Sequence, residues 1–209
     1  MEFLRRSWGS FSSTIADGYL KTAGSPRSRQ LLGEVLRDHA GAHGLSVLDL
    51  GCGNGQLYEH LRETKSLARY VGVDFSAPLV AAARKAFADD ARAAFIEDDV
   101  TLLSTVKGPF DFVIYSHVIE MLASPESSLR RAREVASKII IRFFEPPEFD
   151  AVTVELREMT VSDGPAVPYI RWKMSRDYYR LILANLGCSQ VDIYQAEGDS
   201  DQIHVLHFS

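Results

Sequence analysis

A glycine-rich turn follows a short apolar segment early in the chain. Residues 47–55 read VLDLGCGNG, and a helical pattern carrying Leu57 and Leu61 comes next. Such a turn between a strand and a helix directs backbone N–H groups and a helix N-terminus at a ligand, as in nucleotide sites. Gln56 stands where the dinucleotide fingerprint has its third glycine. The turn alone therefore predicts either a nucleotide site of another kind or a turn without a ligand.

Carboxylates stand at the ends of the apolar segments around this turn. Asp74 closes the next segment, about 20 residues downstream, which is the spacing at which a carboxylate accepts hydrogen bonds from ribose hydroxyls. Asp49 precedes the first glycine by two positions, and Asp98 and Asp99 follow the third segment. In isolation, Asp74 is better explained as a helix cap or turn residue, and Asp98 and Asp99 are also explained as parts of a solvated acidic loop. Their order after the glycine-rich turn favours a ribose-containing ligand.

The segment FDFVIYSHVIEML at residues 110–122 completes a set of four motifs in order. Together with the pattern hhDhGCGxG at the glycine-rich turn, where h is apolar, the set resembles the Rossmann-like (class I) S-adenosylmethionine-dependent methyltransferase family, of the small-molecule type. The resemblance implies S-adenosyl-L-methionine as methyl donor and S-adenosyl-L-homocysteine as product. It continues more weakly to the helix that ends near residue 187.

The resemblance also implies roles in cofactor binding. An acidic residue after the third strand would hold the adenine amino group, with an apolar neighbour against the ring. The family spacing favours Asp99 and Val100 for these roles, with Asp98 as the alternative. Arg29 would pair with the cofactor's carboxylate, or would be a solvated charge at a helix start. The complete expected set is Arg29, Asp49, Gly51, Cys52, Gly53, Asn54, Asp74, Phe75, Asp99, Val100 and Ser116.

Motifs that are missing from the sequence argue against several classes of methyl acceptor. Residues 115–118 read YSHV, where enzymes that methylate the adenine amino group carry an Asn/Asp-Pro-Pro-aromatic tetrapeptide. Neither Cys52 nor Cys188 ends the fourth or fifth strand, where pyrimidine carbon methylation needs its nucleophile. The net charge is −5, whereas a protein that binds nucleic acid usually carries a basic surface that contacts the phosphates. A small-molecule acceptor is favoured, with oxygen slightly preferred over nitrogen. A tRNA or protein methyltransferase and a non-catalytic, cofactor-binding activator subunit are the alternatives.

Methyl transfer from an activated donor requires orientation and exclusion of water, and a general base where the acceptor is a hydroxyl or a protonated amine. His117 is the first candidate base, because an unperturbed imidazole titrates near neutrality. A hydrogen-bonded structural histidine is an equal alternative. Glu145, after the fifth strand, is second and Glu120 is third; either is also explained as an ordinary carboxylate.

Two segments rich in aromatic residues are candidates for the walls of the acceptor pocket, because rigid rings exclude water from a flat or apolar acceptor. Plain core packing is the alternative. The residues are Trp8, Phe11 and Tyr19 near the start, and Phe149, Tyr169, Ile170, Trp172 and Tyr178 after the fifth strand.

The elements that position these residues alternate between apolar strands and helical patterns, which predicts an α/β fold with a doubly wound, mostly parallel seven-stranded sheet. The last two strands, 191–194 and 202–208, predict a C-terminal antiparallel hairpin. Helices are predicted over 28–40, 78–88, 127–136 and 176–186. A single domain would comprise an N-terminal helical cover (1–40), a cofactor-binding core (45–145), a small lid-like β insertion (146–175), and the last helix and hairpin (176–209).

The composition is that of an ordinary globular protein of 209 residues. No apolar segment has the roughly 20 residues that a membrane span needs, and the N-terminus does not resemble a secretory signal. Two cysteines far apart predict neither a disulfide framework nor a zinc site, and no carboxylate cluster suggests magnesium. We therefore expect a cytoplasmic monomer or homodimer without a metal.

Overall fold

A computed structural model describes residues 26–64, 66–159 and 166–208. The candidate pocket residues Trp8, Phe11 and Tyr19, and residues 1–25 of the predicted N-terminal cover, lie outside this part. The described helices are α1 (Arg27–Asp38), α2 (Gln56–Leu61), α3 (Ala77–Ala86), α4 (Pro125–Val135) and α5 (Arg176–Leu186). The strands are β1 (Leu45–Leu50), β2 (Leu67–Asp74), β3 (Ala93–Glu97), β4 (Phe110–Ser116), β5 (Ala136–Phe143), β6 (Thr153–Met159), β7 (Val167–Lys173), β8 (Cys188–Gln195) and β9 (Gln202–Phe208).

Seven strands form one sheet in the order β3-β2-β1-β4-β5-β9-β8. The first five are parallel, whereas β9 pairs antiparallel with both β5 and β8. The predicted mostly parallel sheet with a C-terminal antiparallel hairpin is confirmed. The strand order reverses between β1 and β4, and such a reversal opens a crevice at the carboxyl ends of the strands.

Both faces of the sheet are covered, which explains why the central strands are continuously apolar. Alternate residues of β4 point to opposite faces: Phe112 and Ile114 pack with α1, α2 and α3, whereas Val113 and Tyr115 pack with α4 and α5. The two hydrophobic layers hold the carboxyl ends of β1, β2 and β4 in fixed register.

The predicted helix over 176–186 is present with its expected ends. Ser175 Oγ accepts a hydrogen bond from the backbone N–H of Tyr178 at 3.2 Å, and Gly187 ends the helix with a φ of 68°. The fifth strand begins at Ala136 rather than at the expected residue 138, because α4 ends at Val135 and passes directly into extended backbone.

The predicted β insertion is an antiparallel pair, β6 and β7, in a sheet of its own. Side chains alternate across its two faces. One face carries Tyr169, Arg171 and Lys173, while Trp172 pairs with Val154 on the other. Only the first of these faces is directed at the crevice, since Tyr169 lines it.

Among the described helices, none is long and apolar enough to cross a membrane.

Candidate functional site

The turn between β1 and α2 is built on glycines with positive φ. Gly51, Gly53 and Gly55 have φ values of 78°, 55° and 88°, a region that side chains strongly disfavour. A Cβ at Gly51 would lie 2.3 Å from Val118 Cγ2, and one at Gly55 would lie 2.6 Å from Phe87 Cε2. A Cβ at Gly53 would meet no atom within 4 Å. The turn therefore packs tightly against the protein at two glycines and leaves open space at the third.

Asp74 holds this turn to the end of β2. Its Oδ2 accepts a hydrogen bond from the backbone N–H of Gly53 at 2.9 Å, and its Oδ1 accepts one from that of Ser76 at 2.9 Å. Burial raises the pKa of Asp74, while these backbone donors lower it. Each carboxylate oxygen retains a second lone pair, so Asp74 is able to accept ligand hydroxyls as well.

Asp49 lies one strand away and is fully buried. Its Oδ2 accepts a hydrogen bond from the hydroxyl of Tyr70 at 2.5 Å, while its Oδ1 has no hydrogen-bond partner among the described residues. Burial raises the pKa of Asp49 to about 7, although the Tyr70 bond opposes the rise. A buried acceptor without a donor is costly, and a donor on a ligand in the adjoining cavity would satisfy it.

A cavity of about 220 Å³ lies at the carboxyl edge of the sheet. All eleven residues that the sequence predicts to bind a cofactor line it, and so does His117. Their binding roles stay predictions. The lining also includes residues that the sequence analysis did not select: Gln56, Leu57, Leu79, Val118, Met121, Leu122, Arg142 and Phe144.

The two acidic candidates after β3 occupy different environments. Asp99 lines the cavity, and its Oδ1 accepts hydrogen bonds from Thr101 N at 2.9 Å and Thr101 Oγ1 at 2.6 Å. Asp98 is not part of the lining and instead accepts bonds from Ser104 and Thr105. This placement favours Asp99 over Asp98.

His117 is held at the cavity wall by contacts on several sides. Its Nε2 lies 2.8 Å from Asp201 Oδ2, and its ring stacks on Phe144 with centroids 3.4 Å apart. Its backbone N–H donates to the carbonyl of Arg142 at 2.9 Å, and its φ is 60°. Burial lowers the pKa of His117 to about 4, although the bond to Asp201 raises it. The imidazole is therefore neutral near pH 7.

The two carboxylate candidates lie outside the cavity lining. Glu145 faces the β6–β7 pair, where it lies 3.2 Å from Arg171 Nη2 and 3.4 Å from Lys173 Nζ. Glu120 Oε1 accepts the backbone N–H groups of Phe144 and Glu145, both at 3.0 Å. Glu145 as a base stays a prediction, and its partners link the core to the insertion.

The aromatic pocket prediction applies only in part. Tyr169 lines the cavity, but Trp172 lies on the opposite face of the insertion. Phe149 packs under Lys173 Nζ, 5.0 Å from the ring centroid, and Tyr178 packs against the hydrophobic core. Sequence reasoning also missed Asp201. The available signal was the predicted antiparallel hairpin, because a strand that runs opposite to the parallel strands begins at the edge where they end.

Among the described residues, no group of three or more His, Cys, Asp or Glu side chains is arranged to hold a metal ion.

Part of the chain is similar to known methyltransferases. Residues 47–138 match the family model of a methyltransferase domain. The chain is 33% identical over 105 residues to a demethylmenaquinone methyltransferase from Thermus thermophilus, covering 48% of this chain and 48% of that protein. The matched segments span about half the length of the curated relatives.

Solved structures share the whole fold. The CcbJ methyltransferase from Streptomyces caelestis superimposes with a TM-score of 0.70 at 14% identity, covering 97% of this chain and 98% of that one. The magnesium protoporphyrin IX methyltransferase from Synechocystis PCC 6803, determined with bound S-adenosylmethionine, gives a TM-score of 0.62 at 18% identity, with 100% and 90% covered. Residues 47–138 are therefore similar to a methyltransferase domain, and the chain shares the fold of solved methyltransferases, one of them determined with bound S-adenosylmethionine.

Proposed function

We propose that this protein transfers the methyl group of S-adenosylmethionine to a small-molecule acceptor, with oxygen preferred over nitrogen as the acceptor atom. One observation carries the proposal: the glycine-rich turn, Asp74, Asp99 and His117 all line a single cavity. The carboxylate that would bind the ribose and the candidate base therefore line the same cavity.

The residues present fit the cofactor. The open space at Gly53 and the unsatisfied Oδ1 of Asp49 are features that a bound ligand would complete. Asp74 would hold the ribose hydroxyls, Asp99 and Val100 the adenine, and Arg29 the carboxylate. The cofactor supplies a methyl group already activated on a sulfonium. The protein's contribution is then to orient the acceptor and exclude water.

The rest of the lining suits an acceptor with an apolar body. Val118, Met121, Leu122 and Phe144 line the cavity beside His117. A hydroxyl acceptor loses its proton during transfer, and a neutral imidazole at the wall is able to accept it. This chemistry supports the preference for oxygen, because an uncharged amine needs no such base for attack.

Calorimetry with S-adenosylmethionine and S-adenosylhomocysteine tests the binding step. We expect Asp74→Ala to weaken binding by about 1–3 kcal/mol, the cost of losing hydrogen bonds to a charged group. Asp89→Ala is the matched control, because Asp89 is exposed on the loop after α3. This variant should bind S-adenosylmethionine with the affinity of the wild type. No binding by the wild type would refute the proposal.

The acceptor class is tested with methyl-labelled cofactor and a fractionated cell extract. We expect label in the low-mass fraction and less than about a twofold loss between 50 and 200 mM salt, since a small-molecule site lacks the many phosphate contacts that make binding steeply salt-dependent. Label in RNA or protein would favour the alternative acceptors. Binding without any transfer, restored by a second protein, would indicate an activator subunit.

A further inference from the structure

We propose that Asp201 is a positioning residue for His117: its carboxylate fixes the imidazole with Nε2 protonated and with Nδ1 as the proton acceptor for the cavity. The hydrogen bond stands on geometry alone. The use of Nδ1 as a base rests on the proposed methyl transfer.

The carboxylate is itself rigidly held. Asp201 Oδ2 lies 2.8 Å from Arg142 Nη2, and it accepts bonds from Arg142 Nε at 3.0 Å and Ser28 Oγ at 2.8 Å. The backbone N–H of Asp201 donates to Asp199 Oδ1 at 3.1 Å. Arg142 and Ser28 are both buried. These hydrogen bonds and the ion pair hold the Asp201 carboxylate in one orientation. The carboxylate in turn orients the imidazole of His117.

The protonation state of Asp201 determines the tautomer of the imidazole. Burial raises the pKa of Asp201, but the bonds from His117 and Ser28 and the charge of Arg142 outweigh it and bring the pKa to about 2. An ionised carboxylate only accepts hydrogen bonds, so the 2.8 Å contact requires a proton on His117 Nε2. In the neutral ring the lone pair is then on Nδ1.

Nδ1 is the nitrogen left for a ligand. It has no hydrogen-bond partner among the described residues, whereas Nε2 is engaged. The His117 side chain is 18% exposed and lines the cavity. The charged groups that act on the ring are Asp201 before β9, Arg142 on β5 and Arg29 on α1. A proton released by an acceptor hydroxyl passes to Nδ1, and the resulting imidazolium faces the Asp201 carboxylate.

The antiparallel course of β9 brings Asp201 to the site. Parallel strands β4 and β5 end at the cavity edge, and Arg142 on β5 pairs with Ile203 on β9. Since β9 runs in the opposite direction, its beginning lies where β5 ends. Asp201, immediately before β9, therefore meets His117, immediately after β4.

Nuclear magnetic resonance of the 209-residue chain with ¹⁵N-labelled histidine tests the pairing without a substrate. His117→Gln assigns the signal. In the wild type above pH 6 we expect the Nε2-protonated tautomer at His117. In Asp201→Asn, which keeps the shape and removes the charge, we expect the acid dissociation constant of His117 to rise at least tenfold. Asp192→Asn is the matched control, because Asp192 Oδ2 contacts His207 Nε2 at 2.8 Å on the other side of the hairpin, and it should leave the His117 signal unchanged.

A proton on Nδ1 in the neutral wild-type ring overturns the proposal, and so does an unchanged His117 titration in folded Asp201→Asn. If Asp201→Asn fails to fold, Ser28→Ala tests the same carboxylate more gently: we expect a smaller change of the same sign, and no change overturns the proposal. If His117 is the Nε2-protonated tautomer but the protein binds no S-adenosylmethionine, the pairing with Asp201 is supported and the proposed function is refuted.

Discussion

Gly51 shows how closely the glycine-rich turn packs against its neighbours. Its φ of 78° and the 2.3 Å approach that a Cβ would make to Val118 Cγ2 are two separate obstacles to any side chain. Gly53 has only the first, because nothing lies within 4 Å of its Cβ position. The two positions therefore separate the cost of backbone conformation from the cost of overpacking.

We expect Gly51→Ala to lower the free energy of unfolding by about 1–2 kcal/mol for the left-handed conformation and by about 1–3 kcal/mol more for overpacking. Gly53→Ala should show the first loss only. Urea unfolding of both variants without ligand measures the difference. Val118→Ala in the Gly51→Ala background should recover part of the second loss. Equal destabilisation by the two glycine substitutions would contradict the packing explanation.

At the scale of elements, the β6–β7 insertion is attached through charge pairs. Two strands alone are marginally stable, and this pair shares no hydrogen-bonded edge with the main sheet. Glu145, from the end of β5, contacts Arg171 and Lys173 on the face that carries Tyr169. The Arg171 guanidinium also lies 5.5 Å from the centroid of the Phe144 ring. The insertion therefore reaches the cavity through Tyr169 and is held beside it by these contacts.

Glu145→Gln should loosen this attachment without unfolding the core. We expect amide hydrogen exchange in β6 and β7 to accelerate about 3- to 10-fold, equivalent to roughly 1 kcal/mol for a half-buried ion pair. Glu158→Gln is the matched control, because Glu158 is exposed on the same insertion. Cofactor affinity should stay unchanged, since Glu145 does not line the cavity. Unaltered exchange would show that Glu145 does not hold the insertion.

At the scale of the whole molecule, buried histidines and buried carboxyl groups have opposite effects on how the free energy of unfolding changes with pH. Burial lowers the pKa of His117 and of His204 to about 4, so both favour unfolding as the pH falls below about 6.5. Burial raises the pKa of Asp49 and of Glu120 to about 7. A carboxyl whose folded pKa is raised contributes stability below its unfolded pKa, and this contribution is lost as the pH rises to the folded value.

Glu120→Gln isolates one of these contributions. The amide stays neutral, so the variant does not lose stability as the pH rises from about 4.5 to 7. We expect its free energy of unfolding relative to the wild type to increase across that interval by on the order of 3 kcal/mol and to be constant above it. Urea unfolding at several pH values measures this, with Glu134→Gln on the exposed face of α4 as control. A constant difference from pH 4.5 to 8 would contradict a raised pKa.

The sequence by itself determined the fold class and the candidate cofactor half of the site. The glycine-rich turn, Asp74 and Asp99 each lie at or just after the end of a strand, so once the strands are parallel these ends must meet at one edge. Local order along the chain therefore predicts proximity in space. The two closing strands also predicted a C-terminal antiparallel hairpin.

Only the tertiary structure decided which side chains pair across that edge. His117 and Asp201 are 84 residues apart, and their contact depends on the insertion of β9 between β5 and β8. Glu145 also follows a strand, yet its side chain faces the cations of β7 rather than the cavity. The topology of the sheet determines the edge at which each strand ends, whereas the direction of a side chain depends on the charges and rings packed around it. For that reason the place of the cofactor candidates in the cavity lining was predictable and the partner of His117 was not.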